Sequence, residues 1–444
     1  MTRLAYADLV RELFPRLTGG IRWGLDRTRR LLAVVGDPQD RYPTIHIGGT
    51  NGKGSVSATI ANVLKEDGRR IGLYTSPHLC TFRERIQIDG QAISEADVVA
   101  AAADLWPAIE AEAPSFFEAT TAIAFHAMQR AEVDIAVVEV GLGGRLDATN
   151  VIRPQVSVLT NVALDHLQLL GDTIEDIATE KAGIIKAGVP AVTAETGDIA
   201  SRVFRERAAA VGTTIRELTE ADFETLRTNA GGTDLRVRTS SWGELALHTP
   251  LPGRHQAANT ALAVAAVEML PAALRPGRGG VLRGVATLRW PGRLQIETAR
   301  NRTWVFDVAH NVAGVQALGA ALAELPLPRP LVSLVGVLGD KDWRDMLGPI
   351  YRASDAVVLT LPPSAPPDRR WDPEQVLREV PAPHATAIAD FPAALAHAES
   401  RAGAAGGGTV LITGSFHTVG DALILLGMTP FGVDPDLPVR TPTA

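Results

Sequence analysis

Short β-branched runs along the chain alternate with longer stretches in which apolar residues return every three or four positions. PTIHI at 43–47 and IGLYT at 71–75 read as strands, as do DIAVVEV at 134–140 and VSVLT at 156–160. The last two are almost unbroken apolar runs, which suits parallel strands covered on both faces. Apolar spacing predicts helices over 54–66, 94–111, 117–131, 173–186 and 255–270. Strand and helix in alternation predict a doubly wound α/β sheet. The amphipathic stripes that include Trp106 and Phe125 read as core.

The stretch 276–294 is rich in Gly, Pro and Arg and reads as a short helix followed by a linker. The alternation then restarts, with strands at 303–308, 331–337, 356–361 and 409–413. The expected architecture is α/β throughout: a P-loop, doubly wound N-terminal domain over 1–290 and a smaller Rossmann-like domain over 291–444. LPPSAPPDR at 361–369 and GAAGGG at 403–408 read as surface loops, and 429–444 as a stretch that hugs the surface or is loose.

Composition narrows the class. The 444 residues carry 43 Lys and Arg against 50 Asp and Glu, a net charge of −7, with 21% charged and 46% apolar side chains. That balance excludes disorder as the dominant state and gives no basic surface for nucleic acid. The single cysteine, Cys80, makes neither an internal disulfide nor a thiolate zinc site. The N-terminus is charged where a signal peptide would be apolar, and no run reaches membrane-spanning length, so a cytoplasmic protein is expected.

Candidate chemistry begins at Gly48-Gly49-Thr50-Asn51-Gly52-Lys53-Gly54-Ser55, where the strand at 43–47 turns into a helix. Exposed N–H groups and the helix dipole hold phosphate at such a turn, and Lys53 supplies a charge. The Walker pattern is not met strictly, because Ile47 stands where it has Gly and Gly54 separates Lys53 from Ser55. Glu139 ends an apolar strand, an unfavourable place for a carboxylate unless it meets a cation or a helix N-terminus. Other positions have plain readings. His166 reads as a half-buried loop histidine bonded to Asp165, Lys181 as a solvated helix lysine, and Asp307 as the N-cap of a following helix with His310 on the surface.

The spacing G-T-N-G-K-G-S resembles the loop of the Mur ligase superfamily, in its folylpolyglutamate synthase and dihydrofolate synthase branch. Similar blocks follow in order: 74–90 (YTSPHLCTFRERIQIDG), 115–125 (SFFEATTAIAF), 137–151 (VVEVGLGGRLDATNV), 163–171 (ALDHLQLLG) and 179–186 (TEKAGIIK). Further blocks are 251–259 (LPGRHQAAN), 290–295 (WPGRLQ), 307–311 (DVAHN), 336–343 (GVLGDKDW) and 413–416 (TGSF).

The resemblance implies ATP and two Mg²⁺ sites, with Ser76 and Glu139 as ligands and His166 at a second metal. It makes Lys181 a carbamate-bearing lysine and places Asp307 and His310, beside Asn311, at the interdomain cleft. Asn51, Gly52, Lys53, Gly54, Ser55, Asn259, Arg293 and Asp307 then border the nucleotide. Lys53, Lys181, Asp307 and His310 take catalytic roles. Phe117, Glu118, Ala119, Thr120, Leu146, Asp147, Ala148 and Ser415 match substrate positions, and 21–26 (IRWGLD) matches the folate pocket. Arg22 and Trp23 depart from the residues usual there.

The implied activity is an ATP-dependent amide ligase joining L-glutamate to folate or dihydropteroate through an acyl phosphate, acting as a monomer without nucleic acid or membrane. Polyglutamate synthesis alone and a non-catalytic nucleotide-binding paralogue are the alternatives. A cell-wall Mur ligase would need an N-terminal domain larger than the roughly 40 residues ahead of the loop. A simple P-loop NTPase would leave the later blocks unexplained.

Overall fold

The computed structural model describes residues 5–13, 23–403 and 407–434. Eleven strands lie in the first part: β1 (Thr44–Gly48), β2 (Ile71–Tyr74), β3 (Ile86–Ile88), β4 (Gln91–Ala92), β5 (Ile135–Glu139), β6 (Val156–Leu159), β7 (Ala191–Thr193), β8 (Ile215–Glu217), β9 (Phe223–Asn229), β10 (Gly232–Thr239) and β11 (Gly243–Thr249). The first eight form one sheet in the order β4-β3-β2-β5-β1-β6-β7-β8, parallel except at the β2-β3-β4 edge. Every residue of β1, β5 and β6 is buried, because helices cover both faces. This is the α/β class that the apolar runs imply.

Helix Lys53–Glu66 follows β1 and is buried on almost all sides, packed with helix Arg254–Glu268 in one apolar cluster with β1, β5 and β6. The antiparallel sheet β9-β10-β11 joins that cluster through Leu235, Val237, Leu245 and Leu247. Helix Phe116–Arg130 covers the opposite face, with Phe125 fully buried and Trp106 packed at the margin.

The second part holds β12 (Gln295–Ala299), β13 (Arg302–Phe306), β14 (Leu331–Val335), β15 (Ala356–Leu359), β16 (Ala385–Ala387) and β17 (Thr409–Thr413). Their order is β12-β13-β17-β14-β15-β16, parallel apart from the β12-β13 hairpin. Helix Arg278–Ala286 precedes the crossing into this sheet.

Some expectations change. The helix expected over 173–186 ends at Ala182, where Gly183 packs against Arg145 too closely to admit a side chain. Strands β7 to β11 lie where the apolar pattern names no element, since they are short or half exposed. The loop at 361–369 is not merely surface: Leu361, Pro363, Ser364 and Asp368 line a cavity. Arg22, part of the loop at 403–408 and residues beyond 434 lie outside the described residues.

Candidate active site

The C-terminal ends of β1, β5 and β6 face the second sheet across a cavity of about 1790 Å³. Open α/β sheets bind ligands at such strand ends. After Gly48 the chain turns through Gly49, at φ +133°, where a Cβ would lie 1.8 Å from Thr160 Oγ1. Gly52, at φ +86°, caps helix Lys53–Glu66 with no side-chain bond, so the first-turn N–H groups face the cavity without a cap. The loop is held from behind by Thr50 N donating to Asn161 O (2.7 Å) and Asn51 N to Asn161 Oδ1 (3.0 Å). Lys53 Nζ donates to Thr50 O at 3.0 Å. Burial pushes the Lys53 amine down, opposed by Glu139 and Asp165. Ser55 Oγ and Thr160 Oγ1 are buried beside this loop with no hydrogen-bond partner.

Glu139, the last residue of β5, is buried, and its carboxylate accepts a long hydrogen bond from Ser76 N at 3.4 Å. Burial pushes it up to about 7, against Lys53 and Arg293. Among the described residues no three His, Cys, Asp or Glu side chains cluster as a self-sufficient metal cage. An underbonded carboxylate beside a serine and an orphaned hydroxyl nevertheless fits Mg²⁺, which takes few protein oxygens and fills its shell with water and phosphate. His166 lies apart, with Nε2 3.8 Å from Asp165 Oδ1; burial pushes it down to about 4, leaving a neutral imidazole. The loop-histidine contact with Asp165 is therefore present, and the ring also lines the cavity.

Lys181 is not a solvated lysine. It is 4% exposed, and its Nζ donates to Gly49 O at 2.9 Å. Burial, reinforced by Lys53, pushes its amine down to about 7.

From the second sheet, Asp307 accepts from Leu294 N and Ala309 N, each at 2.9 Å. It does not cap the next helix; Asn311 does, accepting from Gly314 N at 2.8 Å. The sequence pattern offered Asp307 for that role, but the chain runs four more residues before the helix begins. His310 is not a surface residue. It lines the cavity, with Nδ1 3.0 Å from Val308 O, and burial pushes it down to about 4. Arg293 stacks its guanidinium 5.3 Å from the Phe416 ring. Asn259 faces Gly52 and bonds Gln256 at 3.0 Å.

The two parts touch through polar groups. Asn51 and Asn311 pair their side-chain amides at 3.0 and 3.3 Å. Asp165 accepts from Asn311 Nδ2 at 2.9 Å and from Lys341 Nζ at 2.6 Å. Against the effect of burial, Lys341 and the two nearby histidines hold Asp165 well below the usual carboxylate range. Lys341 was legible only as part of the block 336–343.

The far end of the cavity is mixed. Phe117, Leu146, Asp147 and Ala148 line it. Glu118 does too, but its carboxylate caps its own helix at Ser115 and pairs with Arg27 at 3.0 Å. Ala119 and Thr120, expected at the substrate, do not line the cavity: both are fully buried behind the wall, Ala119 in the apolar cluster and Thr120 bonded to Phe117 O and Tyr74. Ala119, two residues on from Phe117, points to the other side of the helix, while Thr120, three residues on, stays on Phe117's side but has its hydroxyl taken up beneath it by Phe117 O and Tyr74. Ser415 lines the cavity, with its hydroxyl donating to Gly336 O at 2.9 Å and accepting from Thr418 N. Trp23 is 41% exposed at the mouth. Two wall residues not singled out from sequence are His78 and Arg85, joined at 2.8 Å, with Arg85 over the Phe116 ring. Both lie in the block 74–90, the signal that could have found them.

Residues 47–267 match the Mur ligase middle domain, and residues 292–416 match the Mur ligase, glutamate ligase domain. The dihydrofolate synthase/folylpolyglutamate synthase of Mycobacterium tuberculosis is 38% identical over 451 residues, covering 91% of this chain and 90% of that protein. A bifunctional folylpolyglutamate synthase/dihydropteroate synthase of Haloferax volcanii is 34% identical over 434 residues, and there the chain spans 50% of the relative's length. Among solved structures, the Mycobacterium tuberculosis folylpolyglutamate synthase complexed with ADP superposes with a TM-score of 0.86 at 35% identity, over 97% of this chain and 99% of that one. Escherichia coli FolC in complex with DHPP and ADP superposes at 0.84 with 29% identity, over 95% and 98%.

Proposed function

Because the chain belongs to the folylpolyglutamate synthase branch of the Mur ligases, we propose that it uses ATP to join L-glutamate to a folate-type carboxylate, with dihydropteroate and glutamate-bearing folates both as acceptors. The observation that carries this reading is one shared cavity, which brings an uncapped helix N-terminus with Lys53 to the same void as Glu139, Lys181 and His310. The described residues of the expected domain 1–290 supply the nucleotide and acceptor walls, and those of 291–444 the facing wall.

A carboxylate is a poor electrophile. Transfer of the γ-phosphoryl of ATP to one of its oxygens gives an acyl phosphate and ADP. The amine of glutamate then attacks the carbonyl carbon, the C–O bond to phosphate breaks, and the amine loses a proton. Positioning and charge neutralisation dominate such transfers. Lys53 and the first-turn N–H groups hold the phosphates. Asp307, by fixing the peptides after Arg293 and before His310, aims both side chains at the nucleotide side of the cleft. His310, neutral through burial, is able to take the amine's proton at Nε2. The walls from both parts exclude water that would hydrolyse the acyl phosphate.

Ser76 and Glu139 would hold one Mg²⁺ and His166 a second; bound there, the ions neutralise phosphate charge. Lys181, with its depressed amine, is the residue to carry a carbamate. Every site residue named here comes from one chain, which supports a monomer as the active form, and the reading places that monomer in the cytoplasm. No helix among the described residues is long and apolar enough to cross a membrane.

Phosphate release and product mass decide the reading. With ATP, glutamate, Mg²⁺ and either tetrahydrofolate or dihydropteroate, each acceptor should gain a glutamate, and EDTA should stop both reactions. Turnover with tetrahydrofolate alone narrows the activity to polyglutamate synthesis. Turnover with neither overturns it.

A further inference from the structure

Beyond helix Phe416–Leu426 the chain leaves the second sheet and crosses back to the first part. The Asp434 side chain is buried there, 5% exposed. Its carboxylate accepts from the Tyr6 hydroxyl at 2.7 Å, from Phe82 N at 2.7 Å and from the Thr81 hydroxyl. Phe431 O accepts from Arg83 Nη2 at 3.2 Å on the same crossing. One acidic group thus ties together three segments remote in sequence. A buried carboxylate is costly unless its lone pairs are filled, and here three donors converge on it. Burial and the facing carboxylate push the Tyr6 hydroxyl up, so it remains a donor.

The two elements that Asp434 holds both form cavity wall. Helix Tyr6–Leu13 presents Ala7, Val10 and Arg11, and the segment leading through turn Phe82–Arg85 presents His78, Leu79 and Arg85. Glu84 holds that turn from inside, accepting from Leu79 N at 2.7 Å, Cys80 N at 2.9 Å and Thr81 N at 3.0 Å. Asp434 holds it from outside. The second part also registers it: a Cβ on Gly420 would lie 2.2 Å from Leu79 O, so helix Phe416–Leu426 seats directly on the segment. The Tyr6 hydroxyl also meets the Thr81 side chain directly, and Asp434 accepts from both hydroxyls and from Phe82 N, closing the link between the two walls.

We propose that Asp434 is a positioning residue for the acceptor end of the cavity, setting the spacing between the Tyr6–Leu13 wall and the His78–Arg85 wall. It touches no substrate and acts through Tyr6, Thr81 and Phe82. The inference rests on the folate-ligase reading, because the acceptor is what fills that end.

The test compares wild type with Asp434→Asn and Tyr6→Phe. An asparagine must turn its N–H₂ either to Phe82 N, donor against donor, or to the Tyr6 and Thr81 hydroxyls, which must then accept instead of donate; either way the charged acceptor is lost. Asp434→Asn should raise the acceptor KM on the order of ten-fold, with kcat and the ATP KM held within about two-fold; Tyr6→Phe should do the same more weakly. Hydrogen–deuterium exchange, which needs no turnover, should rise at 6–13 and 79–85 in both variants. An unchanged acceptor KM in a folded Asp434→Asn overturns the proposal. So does a fall in melting temperature and active fraction with all kinetic constants unmoved, the mark of a purely structural clamp. If Asp434→Asn does not fold, Tyr6→Phe decides by the same criteria. A wild type without turnover on any folate acceptor refutes the functional reading instead, and the exchange result still stands for or against the clamp.

Discussion

An ordinary lysine at pH 7.5 has about one amine in a thousand unprotonated, whereas Lys181, pushed down to about 7, has about three-quarters. Only the unprotonated amine adds to CO₂, so the site raises the reactive fraction by nearly ~10³ before any orientation is counted. Burial is the larger cause and Lys53 the next. The sign for stability follows from the same depression. Because the folded-state value lies below the unfolded 10.5, the buried ammonium burdens the fold fully below pH 7, and the burden fades as pH rises to 10.5. A fall from 10.5 to about 7 corresponds to at most ~5 kcal/mol, lessened by relaxation and by the lost bond to Gly49 O, about 1 kcal/mol, when the amine is removed. Lys181→Met should therefore melt no lower than wild type at pH 6 while ligation falls by on the order of 10² or more. Wild type in ¹³C-bicarbonate at pH 7.5 should show a lysine carbamate carbon by NMR that Lys181→Met lacks. An active enzyme with no such signal refutes the reasoning, as does near-normal turnover by Lys181→Met.

Lys53→Met should cut kcat/KM by about 10³ in the phosphate-release assay, with calorimetric stability held because a desolvated cation is removed. Glu139 has a folded-state value of about 7, above 4.5, so its ionisation weakens the fold as pH rises from 4.5 through 7. Glu139→Gln should consequently melt higher at pH 8 without metal, yet need more Mg²⁺ for half-maximal rate in a Mg²⁺ titration. Gly49→Ala places a methyl 1.8 Å from Thr160 Oγ1 at a φ of +133° and should cost at least about 2 kcal/mol, read by urea unfolding, while raising the ATP KM.

Much of this protein is legible in the amino-acid sequence. Nearly continuous apolar runs identify β5 and β6 because a strand covered on both faces favours apolar residues at every position, the few polar ones such as Ser157 and Glu139 being exceptions. The glycine-rich loop is legible because positive φ and close approach leave glycine as the residue that fits at 49 and 52. Strand β7 is not, because three residues are too short to show a pattern, nor are the edge strand β8 and the sheet β9-β10-β11, since a half-exposed strand tolerates almost any side chain on its outer face. Only the tertiary structure decided that Lys181, an unremarkable helix residue by spacing, is buried against Gly49 O. It likewise turned Ala119 and Thr120 into the core, brought the loop at 361–369 to the cavity, and set Asp165 between Asn311 and Lys341. Those outcomes depend on which surfaces two separate sheets present to each other. Local periodicity records whether a side chain is covered, and is silent about which distant part of the chain covers it.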